Sequence, residues 1–361
     1  MKPPRPVFNR RDMLRLRRLG KGLASNAPAP GIDPTKTGTG GAGDLIKASR
    51  PAMGSYFGVR LAANTPGAVD LASRALDLID ELEQQLTVYR DDSEVSRLNA
   101  SAHLGPVEVE PRLFDLLVRA VEIGSATGGA YDVTAGALSV AWGFFKGPRR
   151  VPDPETLADA RARTGQHHLT LDRARRTVSF DRPGLIINLG SIWKGYAIDR
   201  AARLIGAHWW PTSALVHGGH SSLFALGSPP GRFGGRWEIA VRNPFAPESP
   251  LGIVRLRNRG MGTSGTSFQQ FESNGRVYGH LLDPRTGEPA LGPASVTVLA
   301  PTATDADALS TAFYLLGRDA AAAYIEAHPV VGAIFVEEGP ADSSPRVTAL
   351  GLSDDDFWRD G

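Results

Sequence analysis

Between Gly262 and Gly317 the chain gathers side chains suited to handling a charged, oxygen-rich ligand. Asp307 and Thr311 stand four apart in a stretch of helical spacing that opens near Asp305, so both lie on one face, opposite Leu309, Phe313 and Leu316. A carboxylate and a hydroxyl, completed by waters and phosphate oxygens, make the incomplete cage in which Mg²⁺ is usually held. The same letters suit a helix start, with Thr304 as N-cap and Asp305 and Asp307 favoured by the dipole. Cation binding and capping therefore both stand at this point. Lys194 marks a second place. Leu185-Ile186-Ile187 reads as a buried strand entering Asn188-Leu189-Gly190-Ser191, and a helix carrying Lys194 follows. The first amides of a helix point outward and a nearby lysine adds a full charge, which together make an anion site. A plain glycine turn fits the same residues, and the spacing is neither that of a Walker A loop nor that of a dinucleotide fingerprint. His217 and His220 read as two histidines at a strand end rather than zinc ligands, since no cysteine and no HExxH pattern accompanies them.

The elements that must position these groups follow from periodicity. Within Leu45 to Leu61, alternation around Tyr56, Gly58 and Arg60 suits a strand entered through a tight Met53-Gly54-Ser55 turn, and Gly67 to Leu86 keeps a helical apolar spacing at Leu71, Ala75, Leu78, Leu82 and Leu86. Thr87 to Asn99 is a polar loop with a Ser-capped helical turn, and Pro111 to Thr127 is a second amphipathic helix stopped by Gly128-Gly129. The aromatic run Trp142-Gly143-Phe144-Phe145 precedes a surface helix that ends near Gly165, and Thr170 to Phe180 reads as a hairpin. Strands are expected at 214–219, 237–241, 251–256, 295–300 and 330–336. A Gly/Ser turn is expected at Thr263-Ser264-Gly265, a strand-like run ending at His280, and a turn at Asp283-Pro284-Arg285-Thr286-Gly287. Phe357-Trp358, near the end of the chain, is expected to fray.

Composition bounds the rest. The 361 residues carry a net charge of +2 from 40 basic and 38 acidic side chains, which gives no field that would draw nucleic acid. No apolar run approaches the roughly 18 residues needed to span a bilayer, so no transmembrane span is expected. The absence of cysteine removes disulfides, thiolate metal sites, a cysteine nucleophile and a lipidated cysteine, without choosing a compartment. Residues 1–44 read as a disordered basic tail rich in Gly and Pro, residues 45–352 as one domain, and residues 353–361 as a C-terminal tail. Arg10-Arg11-Asp12-Met13-Leu14 has the look of a twin-arginine export signal. Arg15, Arg17, Arg18 and Lys21 occupy the place of the apolar stretch that should follow, so a cytoplasmic chain is expected, with export to the periplasm as the alternative.

Taken in order, several motifs resemble the ApbE family of FAD:protein FMN transferases: Met53-Gly54-Ser55, Tyr89 to Asn99, Gly129-Ala130-Tyr131-Asp132-Val133-Thr134, Asn188-Leu189-Gly190 with Lys194-Gly195-Tyr196-Ala197 and Asp199, Gly218-Gly219, Thr263-Ser264-Gly265, His280 to Gly287, and Asp307 to Thr311. The resemblance spans roughly residues 48–337. It implies a single α+β domain of mixed or antiparallel sheets with flanking helices and an elongated flavin cleft. It implies Mg²⁺-dependent transfer of FMN from FAD to a threonine hydroxyl of a client protein, with AMP leaving. Met53, Tyr89, Ala130, Tyr131, Asp132, Asn188, Lys194 and Leu281 would touch FAD, and Asp307, Thr311 and the backbone oxygen of Ser191 would hold Mg²⁺. On that reading Lys194 stabilises charge near the phosphates, and His280 and Asp283 are the candidates to take the threonine proton. A strand-end histidine and an Asp-Pro turn account for the same two residues. Three residues depart from the family's usual pattern: Asn188 for Asp, Trp193 for a small residue, and His220 for Asp or Asn. These departures leave room for a flavin-binding protein with weak or lost transfer as one alternative; a hydrolase giving FMN and AMP, with water in place of the threonine, is another. The client, and the choice between monomer and homodimer, stay open.

Overall fold

The computed structural model describes residues 44–208, 212–232, 234–265, 270–340 and 344–359, all within one compact unit, Gly38–Gly361. The basic tail and its export motif lie outside the described residues. In chain order the elements are β1 (Leu45–Ala52), β2 (Ser55–Ala62), α1 (Ala68–Leu86), α2 (Glu94–Ser101), β3 (Val107–Glu108), α3 (Pro111–Ala126), α4 (Gly136–Ala141), α5 (Pro154–Ala162), β4 (Leu169–Asp172) and β5 (Thr177–Phe180). They continue with α6 (Trp193–His208), β6 (Ala214–Gly218), β7 (Ser222–Leu226), β8 (Trp237–Val241), β9 (Gly252–Leu256), β10 (Arg259–Gly265), β11 (Gln270–Ser273), β12 (Arg276–Gly279) and β13 (Ser295–Ala300). The last are α7 (Ala303–Leu316), α8 (Arg318–Ala327), β14 (Gly332–Glu337), β15 (Arg346–Leu350) and β16 (Phe357–Trp358).

Eight strands form one antiparallel sheet in the order β1-β2-β6-β7-β10-β13-β14-β15. Period-two alternation sends Val216, Val298 and Phe335 to one face, where α1, α6 and α7 bury them. Leu215, Leu299 and Ile334 point the other way, into a second core closed by Trp237, Val254 and Phe357 of the small β8-β9-β16 sheet. Because both faces are covered, β13 is buried at all six positions, and Ser295 and Thr297 are buried along with its four apolar residues. Together these elements make the α+β fold of antiparallel sheets and flanking helices that the sequence leads one to expect. Among the described residues no helix is long and apolar enough to cross a membrane.

Four local expectations need correction. Thr263-Ser264-Gly265 is not a turn but the end of β10, in register with Ser295, Val296 and Thr297. The glycines of this strand answer a different need, since a Cβ at Gly260 or Gly262 would stand 2.4 Å from the backbone of α7, so only glycine lets the helix lie this close. Leu185-Ile186-Ile187 makes only a single bridge, Ala135 to Ile186, and is otherwise satisfied by the Asn99 side chain, which accepts from Ile187 N at 2.8 Å and donates to its carbonyl at 2.9 Å. Helix α7 begins two residues earlier than expected, capped by Thr302 rather than Thr304. Phe357-Trp358 does not fray: it pairs with Val254 and Ile253, because Phe357 has a core to enter.

Candidate active site

Two helices whose N-termini meet build the centre of the site. Helix α6 follows the Asn188-Leu189-Gly190 loop, where Asn188 Oδ1 accepts from Gly190 N at 2.9 Å and so fixes the turn. An asparagine does this as well as an aspartate would, so the turn survives that departure from the family pattern. Lys194 stands in the first turn of α6 and donates to Ser221 Oγ at 2.7 Å. Gly195 N donates to Asp307 Oδ2 at 3.0 Å, and Ser222 Oγ donates to Asp307 Oδ1 at 2.9 Å. Lys194, Asp307 and a pair of serines thus share one polar cluster. Ser221 and Ser222 follow the Gly218-Gly219-His220 bend, and nothing in the sequence marks them, because a serine pair at a strand start carries no spacing signal.

Asp307 is 5% exposed and does not lie on a wet helix face, since most of α7 is buried around its whole circumference. Burial pushes its carboxyl up from the ordinary value, against the pull of Lys194, Gly195 N–H and the Ser222 hydroxyl. Thr311, half-buried one turn later, has its hydroxyl 3.1 Å from Ser264 Oγ, which also meets Ser310 Oγ at 2.8 Å. Ser191 Oγ reaches the buried Tyr131 hydroxyl at 3.4 Å, and burial first, then the Asp307 and Asp132 charges, raise that phenol. These donors are hard oxygens, and among the described residues no cluster of three His, Cys, Asp or Glu side chains forms a complete metal cage. Each Asp307 oxygen receives one protein donor and keeps lone-pair capacity, and a cation would relieve the cost of burying the charge. The donor set fits Mg²⁺ completed by water and phosphate oxygens.

The remaining predicted residues fall in two groups. Ala130 and Tyr131 are buried, and Asp132 spends its carboxylate inside the protein, accepting from Thr134 N and Oγ1 and from Gln166 N. What the 130–132 segment can offer a ligand is therefore chiefly backbone. Asn188 N donates to Val133 O at 2.7 Å and ties this segment to the α6 loop. Met53 is buried at left-handed φ 51 in the β1–β2 turn, and Gly219 N donates to Tyr56 O at 2.7 Å to hold that hairpin against the glycine pair. Gly54 follows at φ 67, and positive φ at both central residues is what a two-residue hairpin turn of this kind requires.

His280 and Leu281 belong to the second group, on the loop after β12. The His280 ring meets Phe144 edge-on at 6.5 Å, and exposed Tyr89 meets Phe145 at 5.2 Å, so the 142–145 aromatic run joins the two predicted residues. The Asp283 carboxylate is engaged within its own turn. It accepts from Arg285 N and from the Arg285 guanidinium, with Nη2 at 2.7 Å, and the same Nη2 donates to Leu315 O at 3.1 Å. That chain ties the loop of His280 to the C-terminal end of α7, and Trp142 Nε1 donating to Gly287 O at 2.8 Å holds its far side. Of the other departures, Trp193 is half-buried against the main core, while His220 is exposed.

Comparison with known proteins follows the same outline. The ApbE family model matches residues 53–335. The "FAD:protein FMN transferase" of Treponema pallidum is 33% identical over 299 residues, covering 79% of this chain and 82% of that protein. That of Salmonella typhimurium is 32% identical over 281 residues, covering 75% and 78%. The Thermotoga maritima ApbE protein superposes with a TM-score of 0.77 at 27% identity, over 85% of this chain and 97% of that one. The Pseudomonas stutzeri flavinyl transferase ApbE in its apo form gives 0.75 at 31% identity, over 85% and 95%. With a family model spanning most of its length, relatives at this identity and a shared fold, the chain belongs to the ApbE family.

Proposed function

We propose that this chain transfers FMN from FAD to a threonine hydroxyl of a client protein and releases AMP. The observation that carries the reading is the meeting of Lys194, Asp307 and the first amides of α6 in one cluster, with Thr311 a turn along α7. Phosphoryl transfer needs charge neutralisation and in-line positioning more than a covalent catalyst, and this cluster supplies both kinds of group. Asp307, Thr311 and the Ser191 carbonyl would hold Mg²⁺. Bound there, Mg²⁺ supplies charge neutralisation on the diphosphate.

The remaining work falls to the chain's own residues. Met53, Tyr89, Ala130, Tyr131, Asp132, Asn188 and Leu281 bind FAD, the buried members through their backbone. Lys194, oriented by Ser221, donates to phosphate oxygens and stabilises the charge that builds as the bond breaks. The threonine oxygen forms a bond to the FMN phosphorus, the bond from that phosphorus to the bridging oxygen breaks, and AMP leaves with that oxygen. His280 takes the threonine proton. Asp283, engaged by Arg285, holds the His280 loop in place instead of sharing the proton. The test is incubation of the purified chain with FAD, Mg²⁺ and a threonine-bearing acceptor protein. Flavin fluorescence that stays with the acceptor in a denaturing gel, with AMP in equal amount, supports transfer. Free FMN plus AMP indicates hydrolysis, and bound but unchanged FAD indicates a binding protein.

A further inference from the structure

We propose that Asp199 is a positioning residue for Asp307, acting through a reciprocal cap between α6 and α7. The proposal rests on the cation reading of the site. Asp199, on α6, accepts from Ala303 N and Thr304 N at 2.8 Å each, and from the Thr304 hydroxyl. Asp307, on α7, accepts from Gly195 N of α6. Asp199 lies four residues after Gly195, and Asp307 four after Ala303, one helical turn in each case. Each carboxylate therefore sits a turn inside its own helix and caps the first turn of the other.

The contact is tight because Gly195 has no side chain: a Cβ there would stand 2.1 Å from Ala303 O and 2.8 Å from Thr304 N. The partners of the first amides of α7 separate this role from ordinary capping. Thr302 Oγ1 takes Asp305 N at 3.0 Å and Thr302 O takes Ala306 N at 3.1 Å, so the helix has its own cap. The two amides ahead of them are satisfied only by a side chain from the helix that carries Lys194. Asp199 thus links the backbone that bears the lysine to the backbone that bears the carboxylate, and Asp307 closes the link. Losing Asp199 frees the spacing of the pair, whereas losing the Thr302 cap frays one helix end and leaves the spacing alone.

The test compares the full chain with Asp199→Asn and Thr302→Ala, reading Mn²⁺ affinity by electron paramagnetic resonance, peptide hydrogen exchange, and FAD turnover. Asp199→Asn is expected to weaken Mn²⁺ about tenfold. It should also speed exchange in residues 193–196 as well as 303–307, and lower kcat more than it changes KM for FAD. Thr302→Ala is expected to speed exchange at 303–307 alone and to leave Mn²⁺ affinity within about twofold. Thr304→Val, which removes only the hydroxyl donor to Asp199, should shift exchange at 193–196 and Mn²⁺ affinity in the same direction by about threefold, and decides the matter if Asp199→Asn does not fold. Unchanged Mn²⁺ affinity and unchanged exchange at 193–196 in the Asp199 variant overturn the proposal, as does a Thr302 variant that reproduces both. A wild-type chain that binds Mn²⁺ without transferring flavin overturns the transfer reading but not this one, because neither exchange nor affinity depends on turnover. A wild-type chain that binds no Mn²⁺ overturns both.

Discussion

Asp307 concentrates the chemistry and the cost of this site in one side chain. Its carboxylate satisfies Gly195 N–H and the Ser222 hydroxyl at full burial, so Asp307→Ala orphans two buried donors and should lose about 2–4 kcal/mol of unfolding free energy in urea. Asp307→Asn keeps the shape and one acceptor; it should fold while turnover falls about a thousandfold. Full Mg²⁺-dependent turnover in that variant would contradict the assignment. Asp199 gives a pH signature of its own. Burial pushes its carboxyl up to about 6, against the Thr304 hydroxyl and the Ala303 and Thr304 amides. The folded state then holds the proton more tightly than the unfolded chain. This contribution is full below the ordinary value of 3.8 and is lost as pH rises through about 6. The unfolding free energy of wild type minus that of Asp199→Asn should fall by about 2 kcal/mol between pH 4.5 and 7. Taking the difference cancels carboxylates that run the other way, such as Asp181, held low chiefly by His168. A pH-independent difference would show that Asp199 does not titrate in this window. At this scale the Asp307–Thr311 pair was legible because a four-residue helical spacing is local. Ser222, 85 residues away along the chain, was not, since only the fold brings its hydroxyl to the carboxylate.

Elements place these residues through backbone contact more than through side-chain bulk. Gly262 of β10 faces the Ala306 backbone of α7, where a Cβ would lie at 2.4 Å from its carbonyl carbon and oxygen. Gly262→Ala must push the helix away and should cost about 2 kcal/mol or more, with Mn²⁺ affinity falling alongside. Gly275→Ala is the control: its φ of +75 strains the β11–β12 turn, but nothing lies within 4 Å of the added carbon. It should cost about 1 kcal/mol and leave Mn²⁺ affinity unchanged. Equal loss of Mn²⁺ affinity in both variants would refute the close-approach argument. The helices over 67–86 and 111–127 and most strands were readable within a residue or two, because each has an apolar period and a capping or glycine signal. The turn expected at Thr263-Ser264-Gly265 misled for a physical reason, since Gly260 and Gly262 earlier in the same strand serve a close approach to α7. Glycine marks a turn and a close helix contact alike, and composition cannot separate the two.

At the scale of the whole molecule, one eight-stranded sheet covered on both faces at its centre fixes the α6–α7 pair on one side and the β8-β9-β16 layer on the other. The order of the motifs, spread over residues 53–335, made the family legible where no single motif would have done so. The strand order and the packing of Phe357 were not legible, since both depend on contacts made far along the chain. On the function proposed above, this scaffold moves FMN onto a protein hydroxyl. The most direct measurement is intact-mass analysis of a threonine-bearing acceptor protein after incubation with the chain, FAD and Mg²⁺, with AMP quantified in the same sample. Transfer should give an acceptor heavier by one FMN, an equal amount of AMP, and loss of both on chelation of Mg²⁺ or in Asp307→Asn. An unmodified acceptor alongside free FMN and AMP, or FAD recovered intact, would contradict it.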